Sequence, residues 1–130
     1  MKSQITFITD IFESSEVKPH STNDRCFGED VAEWLVEKTK GGEFTFGEPF
    51  QEDSGWAIPV EAGGEKFVVK IRIMEESIGE DQADWLISVE KVRKWKIFSS
   101  KDSPMRCELC DLIQNVLRDA AHIREIRWID

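Results

Sequence analysis

Apolar and polar positions alternate most regularly on either side of Gly63 and Gly64. A Gly-Gly pair suits the two-residue turn of a β-hairpin, because such turns need positive φ angles. With the turn placed there, three apolar pairs face each other: Val60 with Phe67, Ile58 with Val69, and Trp56 with Ile71. The pattern therefore predicts two antiparallel strands that share one apolar face. Pro59 has no N–H to donate, so we expect its strand either to lie near a sheet edge or to present residue 59 to the side without hydrogen bonds.

Further strands are predicted on both sides of this hairpin. Residues 5–12 are rich in β-branched and aromatic types, and Trp85, Ile87 and Val89 alternate with less apolar neighbours. Residues 43–90 as a whole are typical of an antiparallel meander. It begins with a short strand near Phe44 and Phe46 that bends into a turn around residues 47–49. Residues 123–129 fit either a closing strand or more helix, since their alternation is brief.

Two segments have helical spacing. Val31, Trp34 and Leu35 share one side of residues 28–40, and a Gly-Gly pair follows as a stop signal. Ser103 and Pro104 form a good helix start, and apolar residues then recur on one face as far as Ala120. The sequence thus predicts one α+β domain over residues 1–130, with an antiparallel sheet of about four to six strands and two helices packed on one of its faces.

The charge of the chain is strongly acidic, with 17 Lys and Arg against 26 Asp and Glu and a formal net charge of −9. Residues 1–64 hold 5 basic and 13 acidic groups, whereas residues 65–130 hold 12 and 13. This field repels nucleic acid and anionic membranes and favours a basic protein partner. The basic run at residues 91–96 is better explained by neutralisation of the acidic segment before it.

Two acidic groups are the candidate partner-binding residues. One is the stripe opposite the apolar face of the first helix, and the other is a loop between strands. Their residues are Glu29, Asp30, Glu33 and Glu37 on the helix, and Glu75, Glu76, Glu80 and Asp81 in the loop. A solvated helix face is the competing interpretation of the stripe, because acidic residues are common near helix N-termini.

Cys107 and Cys110 form a C-x-x-C in the first turns of the second predicted helix. This spacing serves thiol redox chemistry when a helix N-terminus lowers the pKa of one thiol. Alternatively, both thiols could join Cys26 and a histidine in a zinc site. The βαβ context of redox motifs is missing, and so is the second cysteine pair of typical zinc sites. One packed and one exposed thiol is the simplest interpretation, and we predict no cofactor.

The start of the chain contains no recognisable export signal, and no apolar stretch approaches the roughly 18 residues of a membrane span. We therefore expect a cytoplasmic location, with no membrane partner and with reduced thiols.

The segment GEPFQEDSGW at residues 47–56, followed by DWLISVE at residues 84–90, resembles small uncharacterised bacterial proteins with an E-P-x-x-E-D-x-G-W turn. The resemblance covers about a third of the chain and implies a small bacterial accessory domain without assigned catalytic residues.

The leading hypothesis is a non-enzymatic bacterial interaction module, such as an immunity or inhibitor protein, whose acidic surface meets a basic partner. The enzyme alternative uses Cys107 and Cys110 for redox or metal chemistry. A third alternative is a regulatory domain that forms a homodimer through an edge strand near Pro59.

Overall fold

A computed structural model of the chain describes residues 4–12, 28–52, 55–74, 76, 82–92 and 104–129. These residues contain two helices, α1 (Glu29–Lys38) and α2 (Pro104–Asp119). They also contain seven strands: β1 (Gln4–Thr9), β2 (Thr45–Phe46), β3 (Phe50–Gln51), β4 (Trp56–Ala62), β5 (Glu65–Ile73), β6 (Ala83–Lys91) and β7 (Ile123–Trp128).

The strands form one antiparallel sheet in the order β2-β4-β5-β6-β1-β7, and β3 also pairs with β4. The α+β class is confirmed, but the described strands number seven and not four to six. The additional strand arises at the sheet edge beside β4, where there are two short strands: β2 pairs with one end of β4 and β3 with the other. Residues 47–49 interrupt what would otherwise be one edge strand.

The β4–β5 hairpin has the predicted register. Trp56 pairs with Ile71, Ile58 with Val69, and Val60 with Phe67. Gly63 and Gly64 adopt φ angles of 58° and 80°, as the turn requires. Apolar partners on one face and a turn that glycine alone favours were sufficient to determine this register.

Pro59 explains why the edge strand is interrupted. Its carbonyl accepts a hydrogen bond of 2.7 Å from the N–H of Gly47. In an antiparallel ladder the N and the C=O of one residue point to the same side, so the missing N–H of Pro59 also faces this gap. A Cβ on Gly47 would lie 2.9 Å from Pro59 Cγ, so the close approach needs glycine. Within the described residues, β2 and β3 form the sheet edge near Pro59, and a homodimer through that edge stays a prediction.

The end of the chain is a strand, which resolves the alternative left open by the sequence. β7 pairs with β1 at the sheet edge, with a register shift opposite Phe7 and a φ of 52° at Glu125. Two contacts fix the turn and the strand: the buried Thr9 hydroxyl donates to the His122 carbonyl at 2.7 Å, and Trp128 Nε1 donates to Gln114 Oε1 at 2.6 Å. Trp128 thus packs toward α2.

The core lies between one face of the sheet and both helices. Side chains from both form a single buried cluster, to which α2 contributes Leu109, Ile113 and Leu117, all fully buried. From α1 come Val31 and Leu35, while the half-buried Trp34 packs edge-on against Phe12. Among the described residues, no helix covers the opposite face, which we call the outer sheet face.

Neither described helix is long and apolar enough to cross a membrane.

Candidate functional site

The acidic stripe begins at the N-terminus of α1. Gly28 precedes the helix with a φ of 123° and makes no side-chain cap. A Cβ on it would lie 3.3 Å from Ile71 Cγ2, so the chain enters the helix tightly against β5. Glu29 and Asp30 occupy the first turn, where the helix dipole stabilises negative charge. Part of the stripe therefore supports the helix itself.

Glu33 and Glu37 lie further along α1 and are exposed. They are one turn apart, on the side away from Val31 and Leu35. Lys40 Nζ lies 2.8 Å from Glu37 Oε2, and this hydrogen-bonded cation lowers the pKa of Glu37 below its ordinary value. Both carboxylates thus face solvent, and Glu37 is ionised over a wider pH range than a free glutamate.

The predicted acidic loop is described at one residue only. Glu76 is exposed, and its charge adds to burial in raising the pKa of Asp84 on β6. Glu75, Glu80 and Asp81 lie outside the described residues. Their part in partner binding remains a prediction.

A groove of about 500 Å³ lies between the C-terminal end of α1 and α2. Its floor includes the buried Phe44 and the half-buried Leu112. The rest of the lining is polar: Lys38, Thr39, Lys40, Gly42, Glu43, Glu108, Asp111 and Asn115. An apolar floor under a charged rim suits a long cationic side chain, whose methylene stem packs while its charge stays at the rim.

Three carboxylates of this groove were missed by sequence reasoning. Glu43 follows the Gly-Gly pair after α1, and Glu108 and Asp111 belong to α2. The sequence does contain a pattern that could have identified the α2 residues of the groove, because Glu108, Asp111 and Asn115 recur at helical spacing opposite the apolar face. Their meeting with the end of α1 depends on how the two helices pack, which no local pattern encodes.

The two thiols of the C-x-x-C differ in exposure, as their helical positions predicted. Cys107 is exposed and Cys110 is buried. The buried Arg106 donates from Nη1 to the Val89 carbonyl at 3.3 Å and makes a longer contact of 3.8 Å to Cys110 Sγ. Cys110 and Arg106 thus belong to the packing of α2 on β6.

The zinc alternative receives no support from the described ranges, in which no three His, Cys, Asp or Glu side chains are grouped to hold a metal ion. Cys26 lies outside those ranges, so a zinc site that includes it stays a prediction. Redox activity of Cys107 and Cys110 stays a prediction too.

Comparisons with protein-family models, with curated proteins and with solved structures return no match. Of the segments that carry the bacterial resemblance, residues 47–56 contain β3 and the first residue of β4, with residues 53 and 54 outside the described part, and residues 84–90 belong to β6. The resemblance itself stays a prediction.

Proposed function

We propose that the chain is a non-enzymatic protein-interaction module that binds a basic protein partner through its helices. The binding surface, which we call the acidic helical surface, consists of five exposed carboxylates: Glu33, Glu37, Glu43, Glu108 and Asp111. The observation that supports the proposal is the groove between α1 and α2, where three of them stand above an apolar floor.

The groove favours this proposal over the simpler interpretation, in which the helix face is acidic only because it is solvated. Acidic side chains on a convex helix face only increase solubility, whereas carboxylates beside a concave apolar floor can hold a Lys or Arg side chain by both its stem and its charge. Lys38 and Lys40 also line the groove, but Lys40 is engaged by Glu37 at 2.8 Å. The remaining carboxylates are then available to a partner.

The partner is a protein with a cationic surface, for which a long-range acidic field raises the association rate and rejects acidic competitors. An immunity or inhibitor protein that blocks a basic toxin, such as a nuclease, has this requirement. A bacterial cytoplasmic location suits that role and belongs to the same proposal.

The test is affinity capture from host lysate at low and moderate salt, followed by purification of the captured protein and titration against variants. In Glu108→Lys/Asp111→Lys the charge of the groove is reversed from negative to positive. In the matched control, Glu61→Lys/Glu90→Lys, the same charge change is placed on the outer sheet face, where both glutamates are exposed.

We expect the groove variant to weaken the affinity by at least tenfold and to flatten its salt dependence, while the control stays within about threefold of the wild type. If both variants weaken binding equally, net charge and not the helical surface governs the interaction. If neither does, the proposal is wrong.

A further inference from the structure

The outer sheet face is rich in cations, in contrast to the acidic helical surface. Alternation along β5 and the pairing of β7 with β1 place five basic residues there: Lys66, Lys70, Arg72, Arg124 and Arg127. Acidic residues accompany them: Glu61, Asp84 and Glu90 lie at outward positions of β4 and β6, and the charges of Glu76 and Glu125 act on Asp84. The outer sheet face thus carries both signs of charge, with its basic residues concentrated on β5 and β7.

A cavity of about 270 Å³ lies on this face. Two cross-strand rows form its floor, since Lys70 pairs with Ser88 and Ser88 with Gln4, while Arg72 pairs with Leu86. Residues directly opposite each other across a ladder are about 5 Å apart, and next-but-one residues of a strand are about 7 Å apart. The polar ends of these side chains therefore surround one small volume.

Glu52 and Gly55, which lie between β3 and β4, form the wall of the cavity. The Glu52 N–H donates to the Gly55 carbonyl at 2.8 Å. A Cβ on Gly55 would clash with the Ile71 carbonyl oxygen, so Gly55 lies directly against the β5 backbone. This contact fixes Gly55 relative to the floor.

Three polar side chains that line this cavity have hydrogen-bond donors without a partner among the described residues. Within the described part of the chain, no hydrogen bond or ion pair engages the side chains of Arg72, Ser88 or Gln4. Lys70 has one ion pair, to Glu90 at 3.5 Å, and both side chains are well exposed. Such a surface pair contributes little and is easily exchanged for a better acceptor.

From this arrangement we infer that the cavity is a binding site for a small organic monocarboxylate. The carboxylate lies between Arg72 and Lys70, because a guanidinium binds the two oxygens of a carboxylate side by side. Ser88 and Gln4 donate the remaining hydrogen bonds. The short hydrocarbon part rests on Leu86, an outward-facing apolar residue that is only 4% exposed.

Two features restrict the ligand further. Pockets for drug-sized ligands typically measure about 300 to 1,000 Å³, so a cavity of about 270 Å³ favours small ligands at or below the lower end of that range. Glu52 adds a negative charge to the wall, which disfavours a doubly charged anion more than a singly charged one. Dicarboxylates and phosphate are therefore poorer ligands than a monocarboxylate.

The experiment is a titration of the full chain with sodium butyrate. Binding is monitored through the amide chemical shifts of Gly55, Arg72 and Ser88. Butanol is the uncharged control of similar shape, and succinate is the doubly charged control. We expect saturable shifts at these amides with butyrate, and affinities at least tenfold weaker for both controls. Absence of saturation with butyrate, or equal binding of butanol, would overturn the inference.

Variants distinguish binding in the cavity from nonspecific attraction to the charges of the outer sheet face. Arg72→Gln is expected to weaken butyrate binding by about tenfold or more, because a charge-assisted bidentate contact is lost. Lys66→Gln removes the same charge from the same side of β5 but outside the lining, and its effect should stay within about twofold. Equal effects of the two variants would mean nonspecific attraction and contradict the site. The outcome is independent of the acidic helical surface.

Discussion

The two faces of the sheet differ in what covers them and in the sign of their charge. The inner face is covered by α1 and α2, whose own outer sides carry the acidic helical surface, while the outer sheet face carries Lys70, Arg72 and three further basic residues. Whether a sheet residue faces the core or the outer sheet face is set by its parity along the strand. The difference teaches that a chain with a net charge of −9 can still concentrate basic residues on two strands of one face.

Charge segregation follows from the order of strands and helices along the chain. The acidic first half supplies α1 and the segment after it, and the more balanced second half supplies β5 and β7. Folding places β5 in the middle of the sheet and β7 at its edge. The charge difference between the halves of the sequence therefore contributes to the difference between the surfaces, although Glu108 and Asp111 of the acidic helical surface come from α2 in the second half.

The largest expected effect is a difference in the free energy of unfolding between substitutions at two adjacent valines of β5. Val69 is fully buried on the inner face, whereas Val68 is half-buried on the outer face. Val69→Ala should lower the free energy of unfolding by about 2 kcal/mol, from lost apolar burial and the cavity left behind. Val68→Ala should cost under about 1 kcal/mol. Urea denaturation of both variants measures the difference.

Each variant is the other's control, because the loss of β-propensity on replacing valine by alanine is common to both. The denaturant slope should stay at the wild-type value, so that the midpoint alone reports stability. Equal destabilisation by the two variants would mean that the outer face is covered as closely as the inner one.

The sequence predicted those parts of the fold that local patterns encode. The β4–β5 register followed from paired apolar residues and two glycines at the turn, and α2 followed from its start signal and apolar spacing. β2 and β3 contain two residues each, too few to show alternation. β7 is irregular at Glu125, where a positive φ accompanies the register shift. These elements depend on their neighbours more than on their own pattern.

Much less of the candidate sites could be predicted. Glu33 and Glu37 were found, because helical spacing alone shows that they face away from the core. The groove was missed, since Glu43 and Asp111 meet only through the packing of α1 and α2. The cavity on the outer sheet face depends on β1 pairing with β6, a contact between distant parts of the chain.

A smaller effect is expected at Asp84, on the outer sheet face. Burial, reinforced by the charge of Glu76, raises the pKa of this carboxyl against the opposing influence of Arg127. An acid with a raised folded pKa binds protons more tightly in the native state, so stability is lost as the pH rises through that pKa. Asp84→Asn should therefore raise the melting temperature at neutral pH.

The advantage of Asp84→Asn should disappear below the unfolded pKa of aspartate, about 3.9, where the wild-type side chain is also neutral. Thermal unfolding between acidic and neutral pH tests this directly. A variant that is less stable than the wild type at neutral pH would show that the attraction to Arg127 outweighs burial.

The smallest effect is expected at Glu37, on the acidic helical surface, and it has the opposite sign. The hydrogen bond and the charge of Lys40 lower the pKa of Glu37, so its contribution to stability is present at neutral pH and is lost as the pH falls through the lowered pKa. Glu37→Gln should thus lower the melting temperature slightly at neutral pH.

The dependence on salt concentration distinguishes the physical causes of the two stability effects, at Glu37 and at Asp84. Both partners of the Glu37–Lys40 pair are 68% exposed, so high salt should screen their attraction and abolish the effect of Glu37→Gln. The largest contribution at Asp84 is desolvation, which salt does not screen, so the gain from Asp84→Asn should persist. Melting temperatures of both variants at neutral pH, in low and high salt, provide the measurement. If the Asp84→Asn gain also vanished in salt, repulsion from Glu76 and Glu125 would be its main cause, and the outer sheet face would be governed by exposed charges just as the helical surface is.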